Sequence, residues 1–184
     1  MQGYFKTNSL LSPYLPNAEA NHCPGDVRYK NQMGTGNTVS WAFDSYAVTD
    51  NVCSNGNGTY YIKLTQIKRV SDCMVFVEQA DSRGYNAGAF DADSPGVTPT
   101  SYPYEDLFAT YHGNVGTFCF ADGHAEHHKW TDPVVIGVGK LANMSSALAY
   151  AYRPGDNALG QTPAFTGTTD AAWLIQRWKC PGNP

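Results

Sequence analysis

Val115-Gly116-Thr117-Phe118-Cys119-Phe120-Ala121-Asp122-Gly123-His124-Ala125-Glu126-His127-His128-Lys129-Trp130 is the stretch from which the fold can be read. Its first six residues alternate around Phe118 and Phe120, the period of a half-buried strand. Asp122-Gly123 follows, and Asp-Gly between apolar strands is the strongest short-range hairpin signal. Ala125 to Trp130 then reads as the returning strand. With a two-residue turn, Cys119 faces Glu126 and Thr117 faces His128. Phe118 and Phe120 then point to the core with Ala125 and His127, and Cys119, His124, Glu126 and His128 share the opposite face. Asp122 suits the turn by tolerating a left-handed backbone, and Gly123 by its free φ.

Working outward, Cys73-Met74-Val75-Phe76-Val77 is a continuous apolar run and predicts a buried central strand. Val39 to Val48 carries Trp41, Phe43 and Tyr46 and predicts another strand. Cys23-Pro24-Gly25-Asp26 is turn chemistry. Residues 79–105 hold no regular period and predict a long functional loop. Thr169 to Trp178 has an N-cap candidate and helical apolar spacing, and Pro181 stops it. No internal repeat or low-complexity tract interrupts the chain.

The 184 residues suit one domain, 1–184, large enough to bury a core without disulfides or metal. Apolar residues at 42% and charged residues at 15% exclude general disorder. A net charge of -4 gives nucleic acid no electrostatic footing. Val134-Val135-Ile136-Gly137-Val138, the best apolar run, is far shorter than the ~20 residues of a spanning helix. The abundance of Gly, Pro and Tyr favours strands and turns over long helices. The five cysteines contain no C-x-x-C pair. Cys73 and Cys119 read as small buried hydrophobes. A bridge among Cys23, Cys53 and Cys180 stays open, and would need an oxidising compartment.

Candidate chemistry is sparse. His124, Glu126 and His128 alternate along one strand face, where i, i+2 neighbours are roughly 6–7 Å apart. They are candidate ligands for a transition metal, against the plainer reading of a solvated polar face. Asp91 and Asp93, with Asp81 and Asn86, offer loop oxygens of the kind calcium takes. His112 and Asp122 invite a dyad reading, but the strand between them separates them by about 20–30 Å, so they read as two structural positions. Trp41, Tyr102 and Tyr104 would serve an alternative reading, an extracellular carbohydrate- or polymer-binding module. A metal-dependent enzyme working through His124, Glu126 and His128 is a second alternative. No phosphate loop, nucleophile elbow or zinc-protease spacing occurs.

His112-Gly113-Asn114-Val115-Gly116-Thr117-Phe118-Cys119-Phe120-Ala121-Asp122-Gly123 is a His, nine residues, then Asp-Gly. It resembles the H-x9-DG domain of bacterial pseudopilin-like proteins with prepilin-type cleavage sites. Other pieces are similar in order: Leu11-Ser12-Pro13-Tyr14-Leu15, Cys23-Pro24-Gly25-Asp26, Ser45-Tyr46, Val77-Glu78-Gln79 with Asp81, and the terminal Asp170 with Trp173-Leu174. The resemblance implies an α+β, pilin-like head with an antiparallel sheet, long loops and short helices. His112, Asp122 and Gly123 are then its structural motif. It implies a non-enzymatic subunit of a type II secretion or type IV pilin-like system in the cell envelope, periplasmic or on the cell surface. Its partners would be other pilin-like subunits or secretion-system proteins. Members of the family meet the membrane through an N-terminal hydrophobic helix that these residues lack, and loss of that helix would uncover an apolar groove near Leu10, Leu11 and Tyr14. Calcium sites in related major pseudopilins give Asp91 and Asp93 some added weight.

Overall fold

A computed structural model of the chain describes residues 13–27, 44–52, 60–80, 89–90, 106–144, 169–179 and 181. Strands β1 (Tyr46–Thr49), β2 (Met74–Glu78), β3 (Ala89–Phe90), β4 (Val115–Phe120) and β5 (Ala125–Lys129) form one sheet in the order β3-β1-β2-β4-β5. Helices α1 (Pro133–Met144) and α2 (Thr169–Arg177) complete an α+β fold with short 3-10 turns between strands. The sheet is mixed, which corrects the expectation of an antiparallel one. β1, β2, β4 and β5 pair antiparallel, but the two-residue β3 runs parallel to β1. β3 also lies inside the stretch 79–105 that the sequence reads as loop throughout. Among the described residues no helix is long and apolar enough to cross a membrane.

The apolar run of β2 makes it the central strand, as its composition predicts. Met74 and Val77 are three residues apart and would face opposite sides of an unbroken strand. A register shift between Met74 and Phe76 against β4 turns both inward. They join Ala47, Phe90, Phe108, Phe118, Phe120 and Trp130 in the core, closed from above by Val135 of α1 and by Ala171 and Leu174 of α2. Ala171, Leu174 and Trp178 follow helical spacing, which is the reason the C-terminal segment forms a helix lying on the sheet.

The hairpin has its predicted strands but not its predicted register. Phe118 pairs with Glu126, Thr117 with His127 and Cys119 with Ala125. The loop takes three residues, Ala121-Asp122-Gly123, because the Gly123 N–H donates to the Phe120 carbonyl and the Phe120 N–H to the His124 carbonyl. Gly123 carries the positive φ of +92° that ends such a loop, while Asp122 has no positive φ. One extra loop residue exchanges the faces of the whole returning strand. His124, Glu126 and His128 therefore lie on the face of Phe118 and Phe120, and Cys119 lies opposite with Ala125 and His127.

Helix α1 went unassigned in the sequence, where Val134–Val138 is only an apolar run. Its cue is Asp132-Pro133: proline is preorganised for the first helical position, and the Asp132 carbonyl accepts the first helical bond, from Ile136 N–H. Gly139 sets its distance from the sheet. A Cβ there would stand 2.6 Å from Thr110 Cγ2 and 3.0 Å from the Phe108 carbonyl oxygen. Gly139→Ala is expected to cost about 1–3 kcal/mol by overpacking, despite alanine's better helix propensity. A urea midpoint equal to or above the wild type's would contradict this close approach.

Candidate functional site

Two clusters of titratable side chains are built on the sheet. The first lies at the end of β2. Asp26 is buried and accepts a hydrogen bond from the Ser45 hydroxyl at 2.7 Å; the same Ser45 oxygen accepts from Cys23 N–H at 3.0 Å. This locks the Cys23-Pro24-Gly25-Asp26 turn against the start of β1. The turn bends tightly enough for the Gly25 N–H to point at Cys23 Sγ, 3.3 Å away. Opposite, residues 106–112 continue the sheet beside Gln79 and Ala80. The Ala80 N–H donates to the Leu107 carbonyl, the Ala109 N–H to the Glu78 carbonyl and the Tyr111 hydroxyl to the Gln79 carbonyl. That zipper ends in His112, followed by two residues of positive φ, Gly113 and Asn114, before β4 begins.

These supports bring Cys23, Glu78 and His112 together. Cys23 Sγ lies 3.2 Å and Glu78 Oε1 3.1 Å from the same ring nitrogen, His112 Nε2. The Glu78 side chain is 0% exposed, whereas that of His112 is 46% exposed. Glu78 Oε2 is buried with no hydrogen-bond partner among the described residues. Burial, with a hydrogen bond to Glu78 and its charge, pushes the Cys23 thiol up to about 12. Burial and the neighbouring Glu78 charge likewise push the Tyr46 hydroxyl up to about 12.

This is not the geometry of a nucleophile relay. In a relay the base takes the nucleophile's proton on one ring nitrogen and is held by the acid through the other. Here thiol and carboxylate meet the same nitrogen. An activated cysteine also needs a lowered pKa, and that of Cys23 is raised.

The second cluster joins the hairpin to the helices. Asp170, at the start of α2, accepts hydrogen bonds from His128 Nε2 at 2.9 Å, Thr131 N–H at 2.7 Å and Asp132 N–H at 2.6 Å. Glu126 accepts from Arg177 and from the Trp173 indole, and Arg177 lies over the Trp173 ring. The His128 ring stacks on Trp173 with centroids 4.0 Å apart.

The predicted candidates thus find separate partners. His124 stacks on Phe120 and bonds Asp122 at 2.6 Å. Its ring and backbone N–H hold the Asp122 carboxyl below the usual carboxylate range. Glu126 goes to α2, and His128 to Asp170. The structure does not bring the three together as a ligand set. Among the described residues the one group of three or more potential ligands within mutual reach is Cys23, Glu78 and His112. His112 and Asp122 belong to different clusters, as their strand separation predicts. Among the described residues Cys23, the buried Cys73 and the half-buried Cys119 take part in no disulfide. Asp91, Asp93, Asp81, Asn86, Trp41, Tyr102, Tyr104, Leu10, Leu11, Cys53 and Cys180 lie outside the described residues. Cys23 and Glu78 escaped the sequence reading as site residues because they lie 89 and 34 residues from His112. Their local signals were a Cys-Pro-Gly turn and a carboxylate at the end of an apolar run, and both lie in pieces that share the family resemblance. No family model, curated protein or solved structure matches the chain.

Proposed function

We propose that the chain is the head of a pseudopilin-like structural subunit of an envelope filament or secretion assembly, acting through packing and not catalysis. The observation that carries this reading is where the resembling pieces meet. Cys23–Asp26, Ser45, Glu78 and His112, scattered through the sequence, are joined by direct side-chain contacts in one cluster. The terminal Asp170 and Trp173 fasten on the returning strand of the hairpin. Pieces that resemble a family singly and in order also make mutual contacts, which chance matches have no reason to do.

A second feature agrees. The sheet face away from α2 carries Val48, Phe76, Thr117 and Cys119, all partly exposed, with Phe76 at 36%. A partly apolar sheet face of this kind suits the flank of a long helix, the packing that the family reading requires. The carbohydrate- or polymer-binding alternative gains no exposed indole among the described residues: Trp130 and Trp178 are buried in the core and Trp173 packs against it.

The test is fractionation of the native cells with an antibody to the head, and N-terminal sequencing of the captured protein. The expected product sits in the envelope or a sheared surface fraction, and begins with an apolar stretch carrying Glu at the fifth mature position. A product confined to the cytosol overturns the reading.

A further inference from the structure

We infer that Cys23, Glu78 and His112 form a binding site for a divalent transition metal ion of the zinc type, which clasps three distant segments of the head. Thiol, carboxylate and imidazole are the three side-chain donors that zinc takes. Calcium and magnesium require oxygen ligands throughout, so this set selects against them. The ligand atoms are already gathered. Nε2 lies 3.2 Å from Sγ and 3.1 Å from Oε1, and all three lie within 4.8 Å of one another. A tetrahedral zinc with bonds of about 2.0–2.3 Å spaces its ligand atoms about 3.3–3.8 Å apart. The two distances to Nε2 fall within a few tenths of an ångström of that spacing, and Sγ and Oε1 lie within reach of the same ion.

A further observation points to a cation. Glu78 is wholly buried, and its Oε2 has no hydrogen-bond partner among the described residues, an expensive arrangement for a carboxylate. A metal ion beside it supplies the missing positive charge. As the sulfur–metal bond forms, the thiol proton passes to solvent along the exposed side of His112. A water molecule on that side completes the coordination. The proposal is independent of the structural-subunit reading and stands or falls by itself.

The experiment uses untagged, reduced, chelator-stripped protein, titrated with cobalt(II) by absorption and with zinc(II) by competition against a chromophoric chelator. Wild type is expected to take one equivalent, with a thiolate-to-cobalt charge-transfer band, and to melt several degrees higher in zinc. Cys23→Ser, nearly isosteric, loses the band. His112→Gln changes a half-exposed side chain and keeps the fold by circular dichroism, but weakens zinc binding by at least about tenfold. Failure of wild type to show the band overturns the proposal. So does zinc affinity unchanged in both variants, which would place the ion on other histidines, or a response to calcium alone.

Discussion

Trp130→Ala is expected to lower stability by about 3–5 kcal/mol, out of a total of about 5–15 kcal/mol for a domain of this kind. The indole is 1% exposed and sits where hairpin, helices and the 106–112 segment meet. Its ring lies 5.1 Å from Phe108, 5.8 Å from Phe118 and 4.7 Å from His128, and its Nε1–H donates to the Ala109 carbonyl at 3.0 Å. Gly116 is glycine because this ring covers it: a Cβ would stand 3.1 Å from Nε1. Truncation leaves a cavity between rigid rings that cannot collapse together, and a buried carbonyl without its donor. The expected thermal midpoint falls by about 10 °C or more. Trp130→Phe refills most of the volume and loses chiefly the hydrogen bond, so it falls by clearly less. A Trp130→Ala protein melting within a few degrees of wild type would remove this ring from the centre of the core.

The second large effect is expected at Asp170, 1% exposed. Its carboxylate binds the chain where β5 hands over to α1, taking Thr131 N–H and Asp132 N–H on one oxygen and His128 on the other. Asp170→Ala strands these donors, Asp132 N–H among them in a buried place, and is expected to cost about 3–5 kcal/mol. Asp170→Asn keeps one acceptor and costs less. Burial pushes the Asp170 carboxyl up, but the donated hydrogen bonds from Asp132, His128 and Thr131 outweigh it and hold it below the usual carboxylate range. A folded-state pKa lowered in this way contributes stability that is fully present above the unfolded pKa. It is lost as pH falls through the folded value. Wild type should therefore lose more stability than Asp170→Asn when acidified from about pH 6 to below about pH 4. Urea midpoints of the two proteins across that range measure the difference, and parallel curves would contradict the assignment.

The strands were the most legible part of the sequence. Alternation marked β4, the Asp-Gly turn marked β5 as its returning partner, and an unbroken apolar run marked β2 as central, because burial and tight turns leave those patterns directly. Loop length was not legible to one residue. Ala121 can end a strand or open a loop, and only the Phe120 and Gly123 hydrogen bonds decide. That single residue moved His124, Glu126 and His128 to the face of the core and into contact with Phe120, Trp173 and Asp170. Helix α1 was hidden by Gly137 and Gly139, which lower helix propensity; the second is required by contact with Thr110, a tertiary fact no local window contains. The bulge in β2 is equally non-local. The Cys23, Glu78 and His112 site could not be found by spacing, since it is assembled by pairing between segments and not within one.

The strand order has a kinetic consequence. Among the described strands only β4 and β5 are joined by a short loop; β1 meets β2, and β2 meets β4, across some tens of residues. Closing such long loops costs entropy before any contact rewards it, which places chains of this topology among those that fold in about milliseconds to seconds rather than microseconds. The hairpin is the piece able to form first, yet an isolated hairpin is marginal in water. Newly made chains should then spend appreciable time with the apolar edge of β4 uncovered, and it is during this interval, not in the finished fold, that self-association is most to be expected.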